Sequence, residues 1–250
     1  MAAHHQFFSD QSQLYASARP TYPEELFDFL RVQCEDLDAC WDCATGSGQA
    51  ALALAEIFEH VEATDVCAGP LEHAPQHPRV SYSVQPAERT NFASRSFDLV
   101  TIAQALHWFD LERFWLEVDR VLKPGGVLAV WGYAWPHIAE SMDAVLQEKL
   151  RDVIEPFWAP QNKALWDGYR DVEFPFTRIA TPQFQLVPQW NLPQLLAYLG
   201  TWSATRQCLE AQGEDFFEHF AAALELEWGD PTRVRAVTMD FCMHVARKES

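Results

Sequence analysis

Two glycines and two acids hold the spacing that points most directly to chemistry. Trp41-Asp42-Cys43-Ala44-Thr45-Gly46-Ser47-Gly48-Gln49-Ala50 reads as the end of a strand, a tight turn and the opening of a helix. Gly46 and Gly48 carry no Cβ to block a ligand, and a helix start turns backbone N–H groups toward it. Asp42 lies four residues before Gly46, and Asp65 closes the next strand-like run, seventeen residues after Gly48. An acid at that place is suited to accept hydrogen bonds from two ribose hydroxyls. The pattern predicts a nucleoside cofactor held at the carboxyl ends of neighbouring strands.

Alternating strands and helices must place those residues. The sequence predicts strands over 39–43, 61–65, 80–84, 97–103 and 127–131. Helices are expected over 23–32, 49–59, near 70–74 and over 110–122, the last capped by Asp110. Lys123-Pro124-Gly125-Gly126 is the expected turn into the fifth strand. Such alternation implies right-handed crossovers and a parallel sheet covered on both faces. Residues 134–230 differ: they carry seven of the 15 prolines and many aromatics, with helical runs at 141–154, 192–209 and 215–227. Strand-like runs follow at 184–190 and 234–245.

Composition narrows the partners. With 18 basic and 36 acidic residues the net charge is −18, which argues against nucleic acid or an anionic membrane. No signal segment or apolar stretch of spanning length is apparent, so a soluble, cytoplasmic protein is expected. Cys40 and Cys43 form a C-x-x-C, but residues three apart on a strand face opposite ways, and no second Cys/His pair has zinc spacing. Buried thiols and no metal are expected.

Gly46-Ser47-Gly48-Gln49-Ala50-Ala51 also fits the dinucleotide pattern, so a nicotinamide oxidoreductase remains an alternative. An adenosyl-methionine ligand is favoured by Asp42, placed to meet an ammonium or order water, and by the aromatic loop Gln104-Ala105-Leu106-His107-Trp108-Phe109. A Tyr-x-x-x-Lys relay is also missing after the fourth or fifth strand. Five segments in order then resemble the class I S-adenosylmethionine-dependent methyltransferases of the small-molecule (methyltransferase type 11) group. They are Asp42 to Gly48, Asp65, Gln85-Pro86-Ala87-Glu88, Ser96-Phe97-Asp98-Leu99-Val100 running into Ala105-Leu106-His107-Trp108, and Leu122 to Gly126. Flanking runs at Tyr15, Arg19-Pro20, Tyr22-Pro23, Tyr169-Arg170 and Thr201-Trp202-Ser203-Ala204 resemble the trans-aconitate methyltransferase-like subgroup.

The resemblance implies an α/β fold: a Rossmann-like, doubly wound, mostly parallel seven-stranded sheet with an N-terminal helical lid and a C-terminal helical insertion. One methyltransferase domain would span 1–250, with a lid at 1–35, a cofactor-binding core at 36–133, a substrate-lid insertion with a late strand at 134–230 and a final strand at 231–250. The cofactor would be S-adenosylmethionine, leaving as S-adenosylhomocysteine. Ala44, Gly46 and Gly48 would follow its methionine part, Asp65 its ribose, Val66 and Ala87 its adenine, and Gln104 and Ala105 the floor below the sulfonium. Tyr15 and Arg19 would reach the methionine carboxylate. Ala44 stands where glycine is common, and Pro86 where an acid often meets the adenine amino group, leaving Gln85 or Glu88 to substitute.

For the acceptor side, Trp108, Tyr133, Trp135, Tyr169 and Trp202 are candidate walls, and Arg170 and Arg206, with Arg178, candidate carboxylate partners. His107 is the candidate base in the motif loops. Plainer readings stand beside these: a turn cap for Asp42, a solvated strand end for Asp65, a surface acid for Glu88, loop packing for His107, and ion pairs for the arginines. The expected reaction is methyl transfer to a small molecule, with a carboxylic acid among the candidates, by a monomer or homodimer. The alternative is a cofactor-binding scaffold or regulator without turnover.

Overall fold

The computed structural model describes residues 19–249. Its main sheet has seven strands: β1 (Ala39–Cys43), β2 (His60–Asp65), β3 (Val80–Val84), β4 (Phe97–Ala103), β5 (Leu122–His137), β6 (Thr177–Ile179) and β9 (Thr238–Arg247), in the order β3-β2-β1-β4-β5-β9-β6. The pairs β1–β2, β2–β3, β1–β4 and β4–β5 are parallel, and β6–β9 is antiparallel. The order reverses between β1 and β4. In open α/β sheets ligands bind beyond the carboxyl ends of the strands at such a switch point.

Local sequence explains these elements. β4 is buried along almost its whole length, as expected of a parallel strand covered on both faces. Helix α1 (Glu24–Gln33) opens with Glu24 and Glu25 and closes with Arg31, matching the helix dipole, and buries Leu26, Phe27 and Leu30. Helices α2 (Gln49–Ala55) and α3 (Ala68–Glu72) follow β1 and β2. Helix α4 (Leu111–Val121) buries Phe114, Glu117, Val118 and Val121, one helical stripe. Asp110 caps it by accepting from the Arg113 N–H at 3.4 Å.

The two sheet faces form separate cores. Cys40, Leu54, Phe58, Val61, Leu99 and Trp131 lie in one, and Trp41, Cys43, Val100, Ile102, Phe114 and Val130 in the other. Cys40 and Cys43 thus point to opposite faces, both unpaired, with burial pushing each thiol well above its ordinary pKa.

Two compact units divide the chain. One holds residues 22–134, 163–185 and 241–249. The other holds 135–162 and 186–240, with residues 19–21. In the latter, α5 (Glu140–Val145) widens into a π-helical turn, Leu146–Arg151, and ends as α6 (Asp152–Ile154). Helix α7 (Asn162–Trp166) begins there, and α8 (Leu192–Gly200), α9 (Ser203–Gln212) and α10 (Asp215–Trp228) complete its helices. Strands β7 (Gln189–Trp190) and β8 (Arg235–Ala236) make a two-stranded antiparallel ribbon. No helix among the described residues is long and apolar enough to cross a membrane.

Several boundaries depart from the sequence expectation. Helix α2 stops at Ala55, short of Glu59. The run 192–209 breaks at Thr201, whose Oγ1 donates to Tyr198 O at 2.6 Å, a side-chain bond that competes with the helix ladder. The run 234–245 is two strands, β8 and β9. β5 begins at Leu122, inside the expected turn, and continues six residues past Trp131. β6 has no forecast, since three residues beside Pro175 and Pro182 give no alternation to read.

Candidate functional site

The turn after β1 alternates in backbone sign. Ala44, Gly46 and Gly48 take φ of +55°, +58° and +82°. Alternation of this kind gathers successive N–H groups on one side as a small concavity. The Thr45 N–H donates to Thr64 O at 2.8 Å, adding one rung to the β1–β2 ladder. Asp65 meets this turn directly: Oδ2 accepts from the Gly46 N–H at 2.9 Å, and Oδ1 from the Cys67 N–H at 2.9 Å. Val66, the next residue, is 68% exposed, an apolar side chain held out beside the acid.

Asp42 is the inner acid. Its Oδ2 accepts from Thr45 Oγ1 at 2.5 Å and its Oδ1 from Thr101 Oγ1 at 2.9 Å, so it ties the turn to β4. Burial pushes its pKa up to about 6, against hydrogen bonds from Thr45, Thr101 and the Ala51 N–H. The space around the glycines differs. A Cβ on Gly46 would meet nothing within 4 Å, whereas one on Gly48 would come within 2.5 Å of the Tyr82 hydroxyl. That hydroxyl donates to Pro75 O at 3.1 Å.

The loop after β3 is stapled to α4. Glu88 Oε1 accepts from the Asp110 N–H at 3.0 Å. Thr90 donates through its N–H and Oγ1 to Glu117 Oε1 at 2.7 and 2.6 Å. Burial raises the Glu117 pKa, but hydrogen bonds from Arg120 and Thr90 outweigh it and hold the carboxyl below its ordinary value. Gln85 is used within the same loop, accepting from the Asn91 N–H at 2.8 Å. These bonds fix Ala87, which is buried.

The loop after β4 carries Gln104 at φ +59°. Its amide clasps the backbone of Tyr133: Oε1 accepts from the N–H at 2.8 Å, and Nε2 donates to the carbonyl at 2.9 Å. Ala105 is buried, and Trp108 is 54% exposed. His107 Nδ1 lies 2.9 Å from the hydroxyl of Tyr169, a fully buried residue at φ +53°. The Tyr169 oxygen also accepts from the His107 backbone N–H. The imidazole and the hydroxyl are thus hydrogen-bonded to each other, with the direction set by the ring tautomer. Burial lowers the His107 pKa to about 4, leaving the imidazole neutral at pH 7.

Other candidates are dispersed. Arg170 is a surface residue, its Nε donating to Asp167 O at 2.7 Å. Arg178 donates to His244 Nδ1 at 2.8 Å and covers Phe174. In the other unit, Trp135 and Trp202 meet edge to face at 5.5 Å, Arg206 is exposed on α9, and Arg19 is partly buried. Tyr15 lies outside the described residues. Sequence reasoning passed over Tyr82, Thr101 and the Gln104–Tyr133 clasp. Thr101, two residues before the end of β4 and level with Asp42, is the one that strand register alone reveals.

Within the first unit, the glycine turn, Asp65, exposed Val66 and buried Ala87 therefore offer backbone donors, a carboxylate and apolar surface, the set that a nucleoside with a charged tail requires. The comparisons with known proteins agree with that demand. The family model of a methyltransferase domain matches residues 41–130. A protein of Dictyostelium discoideum provisionally assigned as a methyltransferase is 32% identical over 212 residues, covering 83% of this chain and 81% of that one. The solved structure of a protein from Anaeromyxobacter dehalogenans, provisionally assigned as a type II methyltransferase, is 38% identical with a TM-score of 0.85, covering 93% and 99%. A phosphoethanolamine N-methyltransferase of Haemonchus contortus, solved with phosphomonomethylethanolamine and S-adenosylhomocysteine, is 16% identical with a TM-score of 0.51, covering 95% and 57%, a likeness of fold alone. The chain belongs to the S-adenosylmethionine-dependent methyltransferases.

Proposed function

We propose that the chain methylates a small-molecule acceptor, a carboxylic acid being the class best suited to its site, as a cytoplasmic enzyme resembling the trans-aconitate methyltransferase-like subgroup. The observation that carries this reading is the junction of Asp65 with the Gly46 N–H at the switch point of a parallel sheet. The residues fit S-adenosylmethionine: open space stands over Gly46, an acid accepts beside it, and apolar Val66 is held out for a purine face. Bound there, the cofactor supplies a methyl group on a sulfonium, open to in-line displacement.

In this reading Ala44, Gly46 and Gly48 line the methionine part, Asp65 holds the ribose, and Val66 and Ala87 border the adenine. Asp42 shapes the turn from within rather than meeting the ligand, because Thr45, Thr101 and the Ala51 N–H surround its carboxylate. Gln104 keeps the end of β4 against β5 through Tyr133. The carboxylic acid class is supported by His107. With its pKa near 4 and Nδ1 taken up by Tyr169, it is poorly suited to removing a proton, and a carboxylate is already ionised at pH 7. The −18 charge supports a small acceptor over nucleic acid. Residues 134–230 are read as the acceptor-binding insertion of one domain.

Calorimetry with S-adenosylmethionine and S-adenosylhomocysteine tests the proposal. Asp65→Ala is expected to weaken both by about 1.5–3 kcal/mol, the cost of removing a charged hydrogen-bond partner. Unchanged affinity would take Asp65 out of the site. Tight cofactor binding with no methyl transfer across a panel of labelled acceptors would favour the scaffold reading instead.

A further inference from the structure

One cavity of about 130 Å³ lies wholly within the second unit, walled by Trp135, His137, Asp143, Gln147, Arg151 and Trp202, with Leu146 and Leu150 below. Three observations set it apart. Four of its wall residues come from the π-helical turn Leu146–Arg151, and single π turns inside helices are frequent at functional sites. Trp135, Trp158 and Trp202 form a mutual cluster with ring centroids 5.5–6.0 Å apart. The Arg151 guanidinium lies 4.0 Å from the Trp135 ring centroid, and its Nη1 donates to Gln147 Oε1 at 3.2 Å.

Charge makes Arg151 unusual. Acidic residues outnumber basic ones two to one in this chain, yet among the described residues no carboxylate lies within ion-pair distance of Arg151. Asp143, in the same wall, is engaged elsewhere: Oδ1 accepts from the Ile138 N–H at 2.8 Å, and Oδ2 lies 3.8 Å from His137 Nδ1. His137 Nε2 in turn faces Asp240 at 3.2 Å. The guanidinium therefore lies over an indole and is tethered by a neutral amide, with its remaining donors uncommitted to any acid among the described residues. A cation so placed also bars a second cation from the same indole face, which excludes an ammonium ligand stacked there.

We propose that this cavity binds a small flat carboxylate, its anion paired with Arg151 and its unsaturated body against the tryptophans. The size suits one six-membered ring, since an apolar cavity of about 150 Å³ accepts benzene. Planar guanidinium and carboxylate pair bidentately, and Gln147 holds the guanidinium in place for that contact. Naming this ligand as the methyl acceptor rests on the carboxylic-acid reading above; the binding itself does not. Trp135 lies two residues beyond Tyr133 on β5, the strand that Gln104 clasps.

The test is calorimetry on the full chain with benzoate and with benzamide, its neutral counterpart, beside a separate titration with S-adenosylhomocysteine. Benzoate is expected to bind at least about tenfold more tightly than benzamide. Arg151→Met, which keeps an apolar stem on Trp135, should abolish that preference while leaving benzamide and S-adenosylhomocysteine unchanged. Arg151→Lys should fall between, because an ammonium lacks the planar fork. Equal binding of benzoate and benzamide by the unaltered protein, or no benzoate binding at all, overturns the assignment without any variant. Loss of S-adenosylhomocysteine binding in the unaltered protein would instead strike the methyltransferase site, so the two failures are distinguishable.

Discussion

The turn after β1 and the cavity at the end of β5 are built in opposite ways. The turn relies on backbone: three positive φ values within five residues, N–H donors and one acid from the neighbouring strand. The cavity relies on side chains: two indoles, a guanidinium and an amide set by helix packing. Backbone sites are restricted by conformation, and only glycine adopts left-handed φ without strain. Side-chain sites are restricted by what packs behind them. The first should therefore fail sharply on small substitutions, and the second should respond to chemistry more than to size.

Gly48→Ala should give the largest effect. The new methyl group meets left-handed strain of roughly 1–2 kcal/mol and an overpacked contact of about 1–3 kcal/mol against Tyr82. Denaturant melts should show the sum, about 2–5 kcal/mol. Gly46→Ala, with open space, should show the strain alone. Adding Tyr82→Phe to Gly48→Ala should recover part of the loss, since the hydroxyl makes the shortest contact. Equal losses at both glycines would mean that Tyr82 yields freely and the turn is less confined than drawn.

One buried and one half-buried group in the first unit oppose each other in pH. Asp42 has an ordinary pKa of 3.8 and a folded one of about 6. Between them the folded chain holds a proton that the unfolded chain has lost, so stability falls as pH rises through that window. His107 has an ordinary value of 6.5 and a folded one of about 4, so the unfolded chain holds the extra proton and stability falls as pH drops through its window. Each effect is on the order of 3 kcal/mol, and over their shared range they largely cancel. Asp42→Asn should leave a stability that rises from acid toward neutral pH, and His107→Gln one that falls. Melts across the acid range decide it; two variants with parallel profiles would show that burial does not control these groups.

The same contrast governs what sequence reveals. Gly46, Gly48 and Asp65 were legible because backbone conformation and strand order leave few residue types possible at those places. β1, β3 and β4 were legible to the residue for a related reason, since a short apolar run, or in β3 a strict apolar–polar alternation, bounded by polar turns reads as a strand. Arg151 was not legible. It sits at an ordinary helical position, and nothing in Leu146-Gln147-Glu148-Lys149-Leu150-Arg151 marks the turn that widens there. Gln104 was expected as a floor residue, but the clasp of its amide on the Tyr133 backbone was not legible, because β5 outruns its apolar stretch. Side-chain destinations of this kind depend on which strand or helix arrives beside them, and spacing does not encode that.

Ala44 offers a smaller test on the backbone side. It holds φ +55° with a Cβ, a conformation that costs an alanine roughly 1 kcal/mol. Ala44→Gly removes the strain but frees the unfolded chain, so the net gain should be modest, about 0.5 kcal/mol in melts. A loss would mean that the methyl group packs usefully in the turn.

Arg170→Ala should do least, and that makes it informative about the side-chain region. The scarcity of arginines in the chain made it, with Arg178 and Arg206, a candidate carboxylate partner. In the structure its side chain is 78% exposed, 3.9 Å from Asp167 and bonded to the Asp167 carbonyl. Exposed pairs of this type contribute about 0–1 kcal/mol and are screened by salt. Stability should shift by less than about 0.5 kcal/mol, with cofactor and benzoate affinities unchanged. A marked loss of benzoate binding in Arg170→Ala, with Arg151→Met silent, would move the anion site from the π-helical wall to the Tyr169 loop and reverse the assignment of the two arginines.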